Sequence, residues 1–133
     1  MSILNADNWL CNVLEGDATL QALTNNQQVY QDTAPKSAAY PFISIQMVNG
    51  LPVQNATADK IMTDEVWIVK AVGKGDDYTP LAPIVDRIGQ VLHKASGAGV
   101  IGCAEEDVFR YSEEEQGEIF KHLGHYYRIA VGN

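Results

Sequence analysis

The sequence predicts an α+β domain, in which a mostly antiparallel β-sheet of about four to five strands is packed by one long amphipathic helix and an N-terminal helical unit. The first observation is helical periodicity in residues 79–94, whose apolar side chains fall within about 120° of arc. The second is strand-like patterning in Phe42–Val48, Glu65–Val72 and Tyr126–Val131. The apolar stripe of the helix comprises Leu81, Ile84, Val85, Ile88, Val91 and Leu92. We expect this stripe to pack on the sheet.

The length and charge of the chain limit its class. A chain of 133 residues is expected to form a single domain spanning residues 1–133. It is long enough to bury about two thirds of its unfolded surface without the help of disulfides or a metal. Its 17 acidic residues outnumber its 9 basic residues, which gives a net charge of −8. Because a surface that binds duplex DNA needs clustered Lys and Arg, the charge argues against a general DNA-binding protein.

The cysteines and the hydropathy bear on the compartment. Cys11 and Cys103 are far apart and belong to no CxxC motif, so we interpret them as two small buried thiols. The sequence shows neither a charged-then-apolar leader nor an apolar run near 18 residues. We therefore expect no signal peptide, no membrane span and synthesis in a cytosol.

The N-terminal region is predicted to be a helical hairpin or one broken helix. Residues 5–15 carry apolar side chains on one helical face. Ser2 or Asn5 is a candidate N-cap, and Gly16 a candidate end. Asp17 is predicted to cap a second short helical turn that carries Leu20 and Leu23.

The first strands follow. Val29-Tyr30 is predicted to be a short edge strand, and Tyr40-Pro41 forces extended or turn geometry before the next strand. In Phe42–Val48, apolar residues alternate with Ser44 and Gln46, which is typical of a half-buried strand.

Residues 49–63 are predicted to be a long connection. Its apolar side chains are dispersed among polar ones, and long loops in compact domains are usually functional or mobile. Either the segment is a wandering hairpin whose apolar residues fold back on the core, or it is an arm that becomes ordered against another subunit. The apolar residues concerned are Leu51, Val53, Ile61 and Met62.

The second half of the chain is predicted to hold the central strand, the long helix and a late strand pair. Glu65–Val72 is apolar on both faces over much of its length, which favours a central position. The helix is expected to end at Gly97, before a flexible Gly-rich segment. An antiparallel pair is then expected from Val108–Tyr111 and His125–Val131, joined through Ser112–Gly117.

No catalytic or metal-binding constellation is evident. A run of acids crowds residues 105–118, and a solvated hairpin end explains it better than a metal site, since the spacing matches no calcium loop. His122 and His125 would point to opposite sides of a strand. There is no Gly-x-Ser-x-Gly nucleophile elbow. We therefore expect no enzyme activity, no metal and no cofactor.

The order of these signals resembles the small tail-completion proteins of long-tailed bacteriophages, the tail terminator or tail-to-head joining family. The resemblance covers about residues 8 to 131. It implies a virion protein of the tail or neck, assembled in the host cytoplasm as a ring, commonly of six subunits, that caps the tail tube and docks the head connector. It implies neither catalysis nor a cofactor. The segments that carry it are Glu15–Leu23, Val29-Tyr30, Ala34-Pro35, Tyr40–Ile45, the Trp67 strand, Leu92-His93 and Tyr127–Ile129.

Two hypotheses about surfaces follow from this resemblance. Partners would be further copies of the chain, the tail tube protein and a head connector or head-closure protein, while genomic DNA passes without specific binding and no membrane is involved. An acidic channel wall would let DNA slide, and its candidate residues are Glu105, Glu106, Asp107, Glu113, Glu114 and Glu115. The candidate contact residues are Leu51, Val53, Ile61, Met62 and Arg87.

The alternatives are another neck or tail component, such as a head-closure or tube protein, and a small cytosolic ligand-binding domain or enzyme. Tube proteins are expected to polymerise into cylinders, whereas a ligand-binding domain would stay a monomer or dimer with a pocket near one of its histidines.

Overall fold

A computed structural model describes residues 3–54, 56–57 and 60–132, with the side chain of Lys60 outside the description. The fold is α+β, as predicted, with one five-stranded sheet in the order β1-β2-β3-β5-β4. The short β1 pairs parallel to β2, and the other neighbours are antiparallel. The elements are α1 (Asn5–Glu15), α2 (Ala18–Leu23), β1 (Tyr30–Gln31), β2 (Phe42–Gln54), β3 (Lys60–Lys74), a 3₁₀ turn (Thr79–Leu81), α3 (Ala82–Leu92), β4 (Val100–Glu115) and β5 (Glu118–Gly132).

The sheet is built from two long hairpins, β2–β3 and β4–β5, which meet along β3 and β5. Met62 lies opposite Gly132 and Lys74 opposite Phe120, so the turns of the two hairpins lie at opposite ends of the sheet. The 15 residues of β3 span about 50 Å at 3.3 Å per residue. Because the helices cover only the middle of so long a sheet, both hairpin ends extend beyond the core.

The helices cover one face of the sheet. Leu81, Ile84 and Ile88 of the predicted stripe are almost fully buried, while Val91 is half-buried. They share one apolar cluster with Ile45, Val69, Tyr127 and Ile129 of the sheet. The prediction that the long helix packs on the sheet is therefore confirmed. We call the opposite side of the sheet the open face.

The predicted long connection at residues 49–63 was wrong, because β2 and β3 pair through most of it. Leu51 pairs with Asp64 and Val53 pairs with Met62; residues 55, 58 and 59 lie outside the described residues. A bulge between Met47 and Asn49 shifts the alternation of side chains, and neither face is covered there, so the strand pattern is hidden. Pro52 is tolerated because this part of β2 is an edge.

The ends of the helices partly match the predictions. Asp17 caps α2, since its carboxylate accepts a hydrogen bond from the Leu20 N–H at 3.0 Å. The N-cap of α1 is Leu4, not Asn5, and Ser2 lies outside the description. The long helix ends at Leu92 instead of Gly97. It ends early because the Lys94 N–H donates to the Cys103 carbonyl at 2.8 Å, which draws the chain toward β4.

Three strand predictions are also settled. An edge strand is present as β1, one residue later than the predicted Val29-Tyr30, and the segment around Glu65–Val72 is central, between β2 and β5. The late antiparallel pair is present, but its turn is shorter than predicted and consists of Gln116 and Gly117 alone, both with positive φ. Ser44, predicted to face solvent, is buried, because the loop after β1 covers the open face there.

Candidate functional site

The end of the β2–β3 hairpin is an exposed surface with apolar side chains. We call residues 47–54 and 60–64 the apolar hairpin end. Leu51 is 66% exposed and Ile61 is 49% exposed, while Val53 and Met62 are half-buried. None of these side chains belongs to the core cluster. An exposed apolar group on a regular, hydrogen-bonded hairpin is typical of a contact surface.

The strand register decides which of these side chains act together. Leu51 and Val53 are two residues apart on β2, and Met62 lies directly across from Val53, so these three share the open face. Ile61 lies in the irregularity between the pairs Val53–Met62 and Gln54–Lys60 and is itself unpaired in the register. The structure therefore brings three of the four predicted apolar contact residues onto one side.

Arg87, the fifth predicted contact residue, is tied down within the chain. Its Nε donates to Asp17 Oδ2 at 3.0 Å and its Nη2 donates to Asp17 Oδ1 at 2.7 Å. A further hydrogen bond of 3.1 Å joins Nη1 to Gln90 Oε1. All three nitrogens of the Arg87 guanidinium group are therefore engaged within the chain. Its guanidinium fastens α3 to the start of α2, and its role as a partner contact remains a prediction that this geometry does not favour.

This ion pair shifts the pKa of both partners. The hydrogen bonds from Arg87 are the largest cause of a lowered pKa for the Asp17 carboxyl, and the Leu20 N–H adds to the effect. The same bonds raise the pKa of Arg87. Asp17 therefore stabilises the fold as a carboxylate, and that contribution is present above its ordinary pKa of 3.8 and lost as the pH falls below it.

The predicted acidic residues do not form a single patch. They divide into a group near the bulge of β4, Glu105–Asp107, and a group at the end of the β4–β5 hairpin, Glu113–Glu115. The two groups are about 25 Å apart along the strand at 3.3 Å per residue. Alternation further places Glu113 and Glu115 on the open face and Glu114 on the other. Only part of the set can therefore face one channel.

Several of these acids also have partners inside the chain. Glu105 accepts a hydrogen bond of 3.3 Å from the Tyr127 hydroxyl, and Glu106 accepts one of 3.1 Å from Arg128 Nε. Glu113 Oε1 lies 2.8 Å from the Nε2 of the buried His122. The exposed acids without such a contact at the hairpin end are Glu114 and Glu115, judged over the described part of the chain.

The open face also holds a cavity that sequence reasoning missed. It lies between the loop after β1 and the strands, and Ser44, Lys70 and His122 line it. Lys70 is only 7% exposed. The only signal in the sequence was a lysine inside the most apolar strand, which is unusual because buried lysines need compensation.

Side chains that bind metal ions do not cluster in the described part of the chain. Across residues 3–54, 56–57 and 60–132, no group of three His, Cys, Asp or Glu side chains is placed to hold a metal ion. Burial raises the pKa of the Cys103 thiol to about 12, and both cysteines are free. Cys103 is buried as predicted, whereas Cys11 is half-buried. No helix in the described part of the chain is long and apolar enough to cross a membrane.

The fold is similar to that of a chain in the virion of a native gene transfer agent particle. The two superpose with a TM-score of 0.77 over 99% of this chain and 100% of that chain, at 16% sequence identity. Another solved chain overlaps 92% of this one at 11% identity, with a TM-score of 0.49. No family model and no curated protein matches the sequence.

Proposed function

We propose that this chain is a structural protein of a phage-like virion, which forms a ring at the end of the tail tube and joins the tail to the head connector. The observation that carries the proposal is the end-to-end similarity of fold to a chain of the gene transfer agent virion. The proposed role is structural, without catalysis and without a cofactor. The chain would reside in the tail or neck of the particle after assembly in the host cytoplasm.

The apolar hairpin end is suited to a contact between copies. In a closed ring each subunit presents one surface to a different surface of its neighbour, so a feature that projects from the body can reach across. Leu51, Val53 and Met62 form such a feature, because they lie on one side of a paired hairpin beyond the core. We propose that this side packs on the next subunit or on the tail tube protein, and that Ile61 extends the contact.

The acidic hairpin end, which we define as residues 113–118, is suited to a surface near DNA. Glu114 and Glu115 are exposed, and the net charge of the chain is −8. Duplex DNA is bound mainly through neutralisation of its phosphates, so a negative wall repels it. We propose that the tip of this hairpin projects into the channel, so that Glu114 and Glu115, on its opposite sides, both come near the DNA, while Glu105, Glu106 and Glu113 serve mainly the contacts within the chain.

The assembly state of the purified chain tests this proposal. Native mass spectrometry and negative-stain microscopy, with purified tail tubes present or absent, are expected to give closed rings, commonly of six subunits. Leu51→Glu is expected to abolish ring formation, because it places a charge in the proposed contact. Val108→Glu is the matched control, since Val108 is 62% exposed but lies on β4, outside the apolar hairpin end.

Other outcomes would redirect or reject the proposal. Long cylinders would favour the alternative role of a tube subunit. A chain that stays monomeric or dimeric even when tail tubes are supplied would contradict the proposal, as would rings that form equally well with Leu51→Glu.

A further inference from the structure

The open face of the sheet carries a cavity of about 410 Å³. Aromatic side chains wall it, namely Tyr40, Phe42, Tyr111 and Phe120. Phe42 and Phe120 each lie within ring-contact distance of Tyr40, with centroids 5.2 and 5.4 Å away. Cavities of about 300–1,000 Å³ with apolar walls and a few polar groups are typical of small-ligand sites. The size and the walls therefore suit a small apolar group.

The floor of the cavity holds two polar side chains without hydrogen-bond partners. Ser44 is 2% exposed and Lys70 is 7% exposed, and the two lie directly opposite each other on β2 and β3. Ser44 Oγ has no hydrogen-bond partner among the described residues. The ammonium of Lys70 lies 5.4 Å and 5.3 Å from the ring centres of Phe109 and Tyr111. Within the described ranges, no oxygen accepts a hydrogen bond from it.

Such an arrangement is costly unless water or a ligand supplies the missing partners. Burying a polar group without a partner destabilises the fold, and burying an unpaired charge destabilises it more. Burial is the main cause of the lowered pKa of Lys70, and the nearby Glu113 only partly opposes it. Glu113 is itself held by His122 at 2.8 Å. An oxygen ligand at the floor would satisfy Lys70 and Ser44 together.

The other charges of the cavity decide the kind of ligand. Asp32 and Glu115 at the mouth oppose Lys36, so the mouth carries both signs. Three carboxylates including Glu113 and two lysines line the cavity, so its net charge is −1 with His122 neutral, and a dianion such as phosphate would be repelled more strongly than a monoanion. A single carboxylate can instead pair with Lys70 and accept a hydrogen bond from Ser44.

We propose that this cavity binds a carboxylate attached to an apolar body, with the carboxylate on Lys70 and Ser44 and the body between the aromatic walls. Two sources present this chemistry: a small aromatic or aliphatic carboxylic acid, and the C-terminal carboxylate of another chain. The site is complete within one copy of the chain, so it does not depend on the proposed ring.

An NMR titration of the full chain tests the proposal. The probes are 3-phenylpropionate, its neutral analogue 3-phenylpropanamide, and the peptide Gly-Gly-Phe with a free or an amidated C-terminus. We expect 3-phenylpropionate to shift the amide resonances of the strands around Ser44 and Lys70, and the neutral amide to bind at least about tenfold more weakly, because it cannot form the charge-assisted hydrogen bond. If the free peptide binds more tightly than both the amidated peptide and 3-phenylpropionate, the carboxylate comes from the C-terminus of another chain.

Variants locate the binding. Lys70→Met approximately keeps the length of the side chain and removes the charge, so it is expected to lower the affinity for 3-phenylpropionate at least about tenfold. Ser44→Ala is expected to lower this affinity about threefold. Lys94→Met, on an exposed residue away from the cavity, is the matched control and is expected to change nothing. If Lys70→Met does not fold, Ser44→Ala and the amide comparison still decide. Absence of binding, equal binding of acid and amide, or unchanged affinity in both cavity variants would overturn the proposal.

Discussion

The two hairpins of this molecule are built alike and end differently. Both are long antiparallel pairs that share the sheet core, β2–β3 with a described pairing from Phe42 to Val72 and β4–β5 from Val100 to Val131. Beyond the helices, the first ends in exposed apolar side chains such as Leu51 and Ile61. The second ends in acids, including Glu114 and Glu115. The same backbone construction therefore presents two opposite surface chemistries at the two ends of the sheet.

The fold constrains the sequence in the middle of the sheet more than at the hairpin ends. In the middle of the sheet, side chains such as Val69 and Ile129 must fill the space beneath the helices. At the hairpin ends the backbone pairing persists, but no side chain is needed by the core. Exposed residues there that the core does not require, such as Leu51 and Glu114, are therefore not fixed by the folding of the single chain, and we propose that they serve partner contact at one end and repulsion of DNA at the other.

The largest effect on stability is expected where the two hairpins meet, at the pairing of β3 with β5. A Cβ at Gly124 would collide with the Val69 carbonyl oxygen and lie 2.6 Å from Lys70 Cα, where β3 and β5 approach each other closely. We expect Gly124→Ala to destabilise the chain by about 3 kcal/mol or more, because backbone on a central strand must move. Urea denaturation measures the loss.

The control for this prediction is Gly102→Ala, since a Cβ there meets nothing within 4 Å. Its stability is expected to stay within about 0.5 kcal/mol of the original. If the two variants have equal free energies of unfolding, the close approach of β3 and β5 at Gly124 does not contribute to stability. The two hairpins would then not share a rigid centre.

A smaller effect is expected at the joint between the N-terminal helices and α3. Asp17→Ala removes the cap of α2, which alone contributes about 1 kcal/mol, and leaves Arg87 without its partner. Asp17→Asn is the matched control, because the amide oxygen still caps the helix but carries no charge. Thermal denaturation is expected to rank the original chain above Asp17→Asn, and Asp17→Asn above Asp17→Ala.

The pH dependence separates the ion pair from the cap. The folded pKa of Asp17 is lowered, so its contribution is present above the ordinary value of 3.8 and lost as the pH falls through the folded value. The stability gap between the original chain and Asp17→Asn is therefore expected to narrow below about pH 4. A gap that stays constant from pH 7 to pH 3 would contradict the role of the carboxylate.

Still smaller effects on stability are expected at the apolar hairpin end. Leu51→Glu is expected to change the free energy of unfolding by less than about 0.5 kcal/mol, because Leu51 lies outside the core. A loss of more than about 2 kcal/mol would show that the hairpin end serves the single chain and not a partner. Chemical denaturation below the concentration at which the chain assembles makes this measurement.

The smallest effect on stability is expected at the acidic hairpin end. Exchanging Glu114 and Glu115 for lysine is expected to leave folding and ring formation unchanged and to make assembled rings retain duplex DNA at low salt. Asp86→Lys together with Asn8→Lys and Gln28→Lys changes the net charge equally at exposed positions away from this hairpin, and is expected to retain less DNA. Equal retention by the two charge variants in a filter-binding assay would refute the channel position of the acids.

Much of the fold was predictable from the sequence, because packing in the core requires apolar residues at regular spacing along the helices and strands. The stripe of α3, the cap at Asp17 and the central position of the Trp67 strand all follow from burial or from local hydrogen bonding. The hairpin at 49–63 was not predictable, because a strand with both faces exposed and a bulge near Val48 has no alternation to reveal it.

The surfaces were predictable in composition but not in arrangement. Leu51 and Met62 could be identified as dispersed apolar residues, yet their common face depends on the register of β2 and β3. The engagement of Arg87 by Asp17 joins residues 70 positions apart and left no trace in the sequence pattern. The same holds for Ser44 and Lys70, which only strand pairing brings together.

The position of the chain in an intact particle tests the proposed role most directly. Particles purified from producing cells that carry a C-terminally tagged copy would be labelled with gold and viewed by negative-stain microscopy. The proposal predicts a single cluster of label at the head-proximal end of each tail, lost from particles when Leu51→Glu replaces the original chain. Label spread along the tube, or particles without label, would contradict it.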